Sequence, residues 1–220
     1  ASFRTTDSLS WWLWLEDNPA LMFARAGQFQ LEDDQGRQRD FQISKGTSVQ
    51  EVGGPWQIEF PRQDGSAHRI EAETLKSWTE YEDHFIRFYS GIVTYSTEIN
   101  LDSAFFTRNF RYYLDLGEVS EIARVIVNGS DSTVLWTPVK TMDVTEMLHP
   151  GTNRVEVHVA NTWHNKLAGE SRKPEDEREM KTNITRLPNA WSYPMADIPN
   201  EDYQLKESGL LGPVTLVGVP

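Results

Sequence analysis

Hydrophobic and polar residues alternate along much of this chain in short runs, with the period of two that half-buried β-strands show. In the clearest run, Val155, Val157 and Val159 alternate with two polar residues. Two similar runs, 112–114 and 123–127, precede it at regular spacing. The pattern predicts three short strands of an antiparallel β structure and places no catalytic group.

Turn signals separate these runs. Asn128-Gly129 follows the second run and is a strong two-residue hairpin signal, because both residues tolerate positive φ. Residues 150–153 form another turn cluster, and residues 88–101 contain a longer alternating strand. We therefore predict an all-β fold for residues 51–220, an antiparallel two-sheet sandwich with little helix.

Residues 1–50 have a different pattern. An apolar run at 11–15 precedes short predicted strands at 20–25, 28–31 and 39–43, the last two joined by a turn at 33–36. This is too little chain for an independent core. We interpret residues 1–50 as a β-strand appendage or the tail of an upstream domain, which packs against a neighbour.

The order of several short motifs resembles the sugar-binding jelly-roll domain of family 2 glycoside hydrolases. These motifs are Asn128-Gly129, Asp143-Val144-Thr145, Gly151-Thr152-Asn153 and Asn161. The flanking segments resemble the C-terminal β-sandwich of large glycosidases of the family 106 α-L-rhamnosidase type; they are Gly54-Pro55-Trp56, Tyr89-Ser90-Gly91, residues 163–167 and residues 208–214.

The resemblance implies a galactose-binding-like jelly roll that serves a glycoside hydrolase as a non-catalytic accessory domain. Its catalytic barrel would lie upstream in the same polypeptide, which would degrade plant or bacterial polysaccharides in an extracellular or periplasmic location. Two alternatives stay open: an autonomous carbohydrate-binding module, and a small complete hydrolase. The upstream coding sequence would discriminate among the three.

The amino-acid composition argues against two classes of binding partner, nucleic acids and membranes. With 33 acidic and 21 basic residues the net charge is −12, which repels phosphate backbones, so nucleic acid is not an expected partner. No apolar run reaches the roughly 20 residues that a spanning helix needs, so no membrane partner is expected. The chain has no cysteine, which excludes disulfides, thiolate zinc sites and cysteine nucleophiles.

The sequence identifies no catalytic residue. Glycoside cleavage needs two carboxyl groups roughly 5–9.5 Å apart, and no pair stands out among so many acidic residues. No nucleophile-elbow serine and no metal-binding histidine spacing occurs. No cofactor is expected, apart from a structural calcium ion for which Asp102, Asp115 and Asp143 near strand ends are candidates.

Aromatic residues near strand ends suggest a carbohydrate contact, because sugars stack on aromatic rings while their hydroxyl groups need polar partners. The predicted ligand-binding residues are Trp163, His164, Asn165 and Trp191. Trp78, Tyr81 and His84 lie in another predicted loop, whereas Trp56 and Trp136 are predicted core residues. In the competing interpretation, the Trp163 edge docks on the catalytic barrel.

Overall fold

A computed structural model describes residues 3–4, 10–15, 18–23, 27–33, 35–43, 47–136, 140–178 and 204–219. The first five strands are β1 (Phe3–Arg4), β2 (Ser10–Leu15), β3 (Asn18–Phe23), β4 (Gly27–Asp33) and β5 (Gln38–Ile43). The next six are β6 (Ser48–Glu51), β7 (Trp56–Pro61), β8 (Ala67–Ala72), β9 (Ile92–Leu101), β10 (Arg111–Asp115) and β11 (Glu118–Val119). The last six are β12 (Ile122–Val127), β13 (Ser130–Leu135), β14 (Thr141–Asp143), β15 (Gly151–Ala160), β16 (Leu210–Gly212) and β17 (Thr215–Val219).

Helices are short. The α-helices are α1 (His84–Arg87) and α2 (His164–Ser171), and single 3-10 turns cover Trp78–Glu80, Ser103–Phe105, Thr145–Met147 and Glu175–Glu177. None of the helices in the described part of the chain is long and apolar enough to cross a membrane.

Two main antiparallel sheets form the sandwich. The larger sheet has the order β13-β12-β15-β9-β7-β8, and the smaller has the order β14-β10-β17-β6. A short pair, β11 with β16, lies outside these two sheets. The predicted all-β antiparallel sandwich is confirmed.

The core lies between the two sheets because each strand turns alternate side chains inward. The buried set includes Trp56, Phe60, Val93, Tyr95, Val125, Val157, Leu114 and Leu216. Strand β15 shows the alternation most clearly, since Val155, Val157 and Val159 are buried while the residues between them are not. The valine pattern in the sequence thus marks the central strand of the larger sheet.

The Asn128-Gly129 hairpin joins β12 to β13, as predicted. Asn128 has a φ of 52° and Gly129 a φ of 78°, the positive values that a tight two-residue hairpin turn requires. The turn signal at 33–36 likewise falls where β4, which ends at Asp33, is followed by its antiparallel partner β5, with Glu32 opposite Gln38. Both turn signals therefore predicted real hairpins.

The N-terminal strands form two small antiparallel groups, β1-β4-β5 and β2-β3. Strand β6 straddles residue 50 and pairs with β17 in the smaller sandwich sheet, with Glu51 opposite Thr215. The division of the chain into 1–50 and 51–220 stays a prediction.

Three expectations from the sequence are wrong in detail. Trp136 is 73% exposed instead of lying in the core, because it extends the outward-facing side of β13. Trp78 is buried instead of lying in an open loop. The charges of residues 168–183 suggest a solvated loop or one helical turn, but this stretch begins within the two-turn helix α2, where Ala168 and Glu170 are buried.

Candidate functional site at one end of the sandwich

The asparagines that carry the sequence resemblance have a structural role, because their side chains hydrogen-bond the turns at the strand ends. At the Gly151 end of β15, the Asn128 amide donates to the carbonyl of Met147 and to Asn153 Oδ1, each at 2.8 Å. Asn153 in turn donates to the carbonyls of His149 and Gly151. These bonds satisfy polar groups that the tight connections would otherwise bury unpaired.

The Asp143-Val144-Thr145 motif is also structural. Asp143 Oδ1 accepts hydrogen bonds from the backbone N–H and the hydroxyl of Thr145, and the Thr145 hydroxyl accepts from Tyr112 N–H at 2.9 Å. Arg111 pairs with the other carboxylate oxygen of Asp143. Burial raises the pKa of Asp143, but the Thr145 hydrogen bonds and the Arg111 charge outweigh it and hold that pKa below its ordinary value.

A second polar network lies at the opposite end of β15. Asn161 accepts a hydrogen bond from Gly91 N–H at 3.1 Å and donates to the Tyr89 carbonyl at 2.9 Å, which joins the end of β15 to the start of β9. Ser208 receives the Asn165 amide at 3.0 Å, and its own N–H donates to the Ser77 hydroxyl. The network thus joins segments far apart in sequence.

The Ser208-Gly209 step lies over two buried rings. Trp78 Nε1 donates to the Tyr95 hydroxyl at 2.5 Å, and the same hydroxyl accepts from Leu210 N–H at 3.2 Å. Burial raises the pKa of Tyr95, so its hydroxyl stays protonated. Gly209 has a φ of 110°, and a Cβ there would lie 2.5 Å from Trp78 Nε1. Only glycine fits this position.

Helix α2 is held by its first two residues. The Asn165 amide donates to the Lys206 carbonyl at 2.7 Å as well as to Ser208, and its oxygen accepts from Lys206 N–H. Asn165 is 2% exposed, so this amide serves the fold and presents no unused group to a ligand. His164 Nε2 lies 2.8 Å from the Gln204 carbonyl. Both residues therefore position their neighbour, Trp163.

Trp163 differs from both, since it is 66% exposed. It lies on a cleft of about 1120 Å³ between helix α1, helix α2 and the turn after β7. Phe85, Phe88 and Tyr89 supply the apolar part of the lining. Gly169 permits the close approach of α2, because a Cβ at that residue would lie 2.8 Å from the Phe88 ring.

Charged groups lie beside these rings. Glu170 is 1% exposed, and its carboxylate pairs with Lys173 Nζ at 2.8 Å and Lys166 Nζ at 3.6 Å. The Arg62 guanidinium lies 4.2 Å from the centre of the Phe85 ring. Asp64 also lines the cleft, but hydrogen bonds from Ser66 lower its pKa, which is the wrong direction for a general acid.

The structure thus brings Trp163, His164 and Asn165 together and gives them different environments, while Trp191 lies outside the described residues. Whether any of them binds a ligand stays a prediction. The buried Glu170 and the aromatic residues 85–89 were missed as cleft residues. Glu170 could not be singled out in the sequence because it lies beside many other charged residues. Phe85, Phe88 and Tyr89, by contrast, have the i, i+3, i+4 spacing of one helix face, which was a usable signal.

The candidate calcium residues do not converge. Asp102 accepts from Ala104 N–H, Asp115 from Gly117 N–H, and Asp143 is occupied as above. Within the described residues, no group of three or more His, Asp or Glu side chains could hold a metal ion. The structural calcium ion stays a prediction without a site among these residues.

The fold and this end of it define an all-β antiparallel sandwich with a surface cleft. No family model matches the chain. A protein of Formosa agariphila named "Putative beta-glucuronidase" is 32% identical over 177 residues, which is 75% of this chain and 15% of that protein.

Solved structures share the fold. A rhamnosidase from Novosphingobium sp. PP1Y matches 99% of this chain and 25% of its own, with a TM-score of 0.60 and 22% identity. A Ruminococcus gnavus β-glucuronidase matches 81% of this chain and 29% of its own, with a TM-score of 0.52 and 22% identity. The resemblance to a glycoside hydrolase sandwich is confirmed, and the chain is similar to only a fraction of each of these longer proteins.

Proposed function

We propose that this chain is a non-catalytic accessory β-sandwich of a glycoside hydrolase, and that it braces the catalytic domain and contacts carbohydrate. The observation that carries the proposal is the use of the motif asparagines. Asn128, Asn153 and Asn161 lock the sheet ends, and the only motif-adjacent ring left in solvent is Trp163 at the cleft, within the described part of the chain.

Two features support a non-catalytic role. The chain is similar to 15–25% of the length of two of its longer relatives. The described cleft carboxylates are Asp64, which caps a turn, and Glu170, which is paired with two ammonium groups. Neither has the environment of the protonated carboxyl group that glycoside cleavage requires.

The proposed sugar contact is the Trp163 side of the cleft. An exposed indole offers a stacking surface, and Arg62, Lys166 and Lys173 provide donors along the same cleft. A jelly-roll domain of the galactose-binding type, working in an extracellular or periplasmic enzyme, would use such a strand-end site. The relatives' names suggest rhamnosides or glucuronides as the sugar class of the parent.

The test is calorimetric titration of the 220-residue chain with rhamnose-containing and glucuronate-containing oligosaccharides. We expect Trp163→Ala to weaken binding by about tenfold, since losing one stacked ring costs about 1.4 kcal/mol. Trp136→Ala is the matched control, because Trp136 is 73% exposed, close to the 66% of Trp163, and lies outside the cleft lining. Equal losses in both variants would contradict a cleft-specific contact.

A second assay addresses catalysis. The 220-residue chain should not turn over aryl α-L-rhamnosides or aryl β-glucuronides. Turnover that disappears on a single Glu or Asp substitution would establish the alternative of a small complete hydrolase. Tight glycan binding by a chain whose gene encodes no catalytic domain would instead favour an autonomous carbohydrate-binding module.

A further inference from the structure

The outer face of the six-stranded sheet is apolar at one end only. At that end the strand register sets side chains from neighbouring strands side by side: Ile122 lies opposite Ala160, Ala160 opposite Ile92, and Pro61 opposite Ala67. These residues belong to the outward-facing set of their strands, since their neighbours Ala123, Val93 and Phe60 are buried.

Trp136 extends this line on the far edge of the sheet. It follows Leu135, the partner of Ala123, and so comes level with Ile122. On the other side, Glu59 pairs with Thr94, so Pro61 comes level with Ile92. We call the resulting set the end row; its members are Trp136, Ile122, Ala160, Ile92, Pro61 and Ala67. With strands about 4.8 Å apart, it spans about 24 Å.

The next level of the same face has the opposite character. Five of its six residues are polar, namely Arg124, His158, Thr94, Glu59 and Arg69, and Glu59 pairs with Arg69 at 2.7 Å. Its one apolar residue is Val134, opposite Arg124 on the edge strand β13. A solvated sheet face is expected to look like this second level. The end row is therefore apolar where the solvated face of a sheet is expected to be polar.

The exposure of the end row is large. Ile92 is 58%, Ile122 42% and Trp136 73% exposed. The other exposed large hydrophobic side chains among the described residues are Trp163 at the cleft, Val134 one level along β13, and Val49 on the smaller sheet. Contiguous apolar patches of this kind mark interaction sites.

We infer that the end row is the surface on which the catalytic domain of the same polypeptide docks; this inference rests on the proposed accessory role. The longer relatives supply the occupant, since three quarters of the rhamnosidase chain lies outside the matched part. Branched aliphatic side chains with one tryptophan suit a protein interface, whereas the hydroxyl groups of a sugar would need polar side-chain partners, which this row lacks apart from the indole N–H. The charge of −12 opposes a second copy.

The test compares the 220-residue chain with the complete gene product by hydroxyl-radical labelling and mass spectrometry. We expect Trp136 and Ile92 to be labelled at least about fivefold more slowly in the complete product. Val49 is the matched control, because it is 49% exposed on the other sheet and should be labelled at the same rate in both.

A variant pair completes the test. Ile122→Ser should lower the melting temperature of the complete product by about 3 °C and leave that of the 220-residue chain unchanged, whereas Val49→Ser should affect both alike. Unchanged labelling of Trp136 in the complete product would overturn the inference. So would a 220-residue dimer that Ile122→Ser dissociates, or protection of Trp136 by an oligosaccharide.

The outcomes separate the inference from the function on which it rests. A complete product that protects the end row but cleaves no glycoside would refute the proposed function and keep the docking surface. A complete product that cleaves glycosides but leaves the end row open would do the reverse.

Discussion

The two ends of strand β15 use the same residue type for the same task, yet only one of them carries a candidate site. At the Gly151 end, Asn128 and Asn153 hydrogen-bond each other and the adjacent carbonyls, so their hydrogen bonds stay within the two neighbouring turns. At the Ala160 end, Asn161 and Asn165 hold the segment around Ser208, and the chain then continues into helix α2 beside the cleft. The asparagine network at the Ala160 end therefore adjoins a candidate site, because the chain that follows it exposes the Trp163 side chain.

The largest expected effect is at the Ala160 end, in Gly209→Ala. The new Cβ would lie within 3 Å of Trp78 and the Tyr95 hydroxyl, at a φ of 110°. We expect a loss of about 4 kcal/mol in the free energy of unfolding, measured by chemical denaturation. Gly65→Ala is the control, because its φ of 83° is also positive but nothing lies within 4 Å; it should cost about 1 kcal/mol.

The next effect compares the two asparagine networks directly. Asn153→Ala and Asn165→Ala each strand buried partners, so each should lower the free energy of unfolding by about 2–3 kcal/mol. Only Asn165→Ala should also weaken oligosaccharide binding, because Asn165 positions the start of α2 next to Trp163. Binding losses of equal size in both variants would show that the two ends are not functionally different.

A pH effect sharpens the account of the Gly151 end. Burial raises the pKa of Asp143, but hydrogen bonds from Thr145 and the charge of Arg111 hold that pKa below its ordinary value. A depressed folded-state pKa adds stability above the unfolded-state pKa, and this stability is lost as the pH falls through the folded value. Asp143→Asn should therefore destabilise the protein at pH 7, and the deficit should shrink below about pH 4.

Asp115 is the matched control of opposite sign. Burial raises the pKa of Asp115 in spite of its hydrogen bond from Gly117, so its ionised form disfavours the folded state. Asp115→Asn should show no loss at pH 7. Urea unfolding of both variants at pH 7 and pH 3 would check the pair, and parallel behaviour would contradict the electrostatic assignment.

A small stability effect is also expected for Trp163→Ala. An indole that is 66% exposed contributes little to the core, so the free energy of unfolding should change by less than about 0.5 kcal/mol. A larger loss, measured by the same denaturation assay, would mean that Trp163 belongs to the structural network and not to the ligand side of the comparison.

Local patterns in the sequence predicted the elements that local physics controls. The alternating valines gave β15, and Asn128-Gly129 gave the hairpin, because side-chain period and positive φ depend on neighbouring residues only. Trp136 and Trp78 were assigned to the wrong environments for the converse reason. Trp136 follows a strand and Trp78 lies in a 3-10 turn, and only the packing of distant segments exposes the first and buries the second.

The sequence by itself determined the sandwich, its turns and its relation to glycoside hydrolases, since these follow from short-range periodicity and from motif order. Tertiary structure decided the roles of the site residues. Asn165 turned inward because Lys206 and Ser208, some 40 residues later, supply its partners. The end row exists only because five strand pairings bring apolar residues to one level. Hydrogen bonding between strands fixes this register, and no local pattern encodes it.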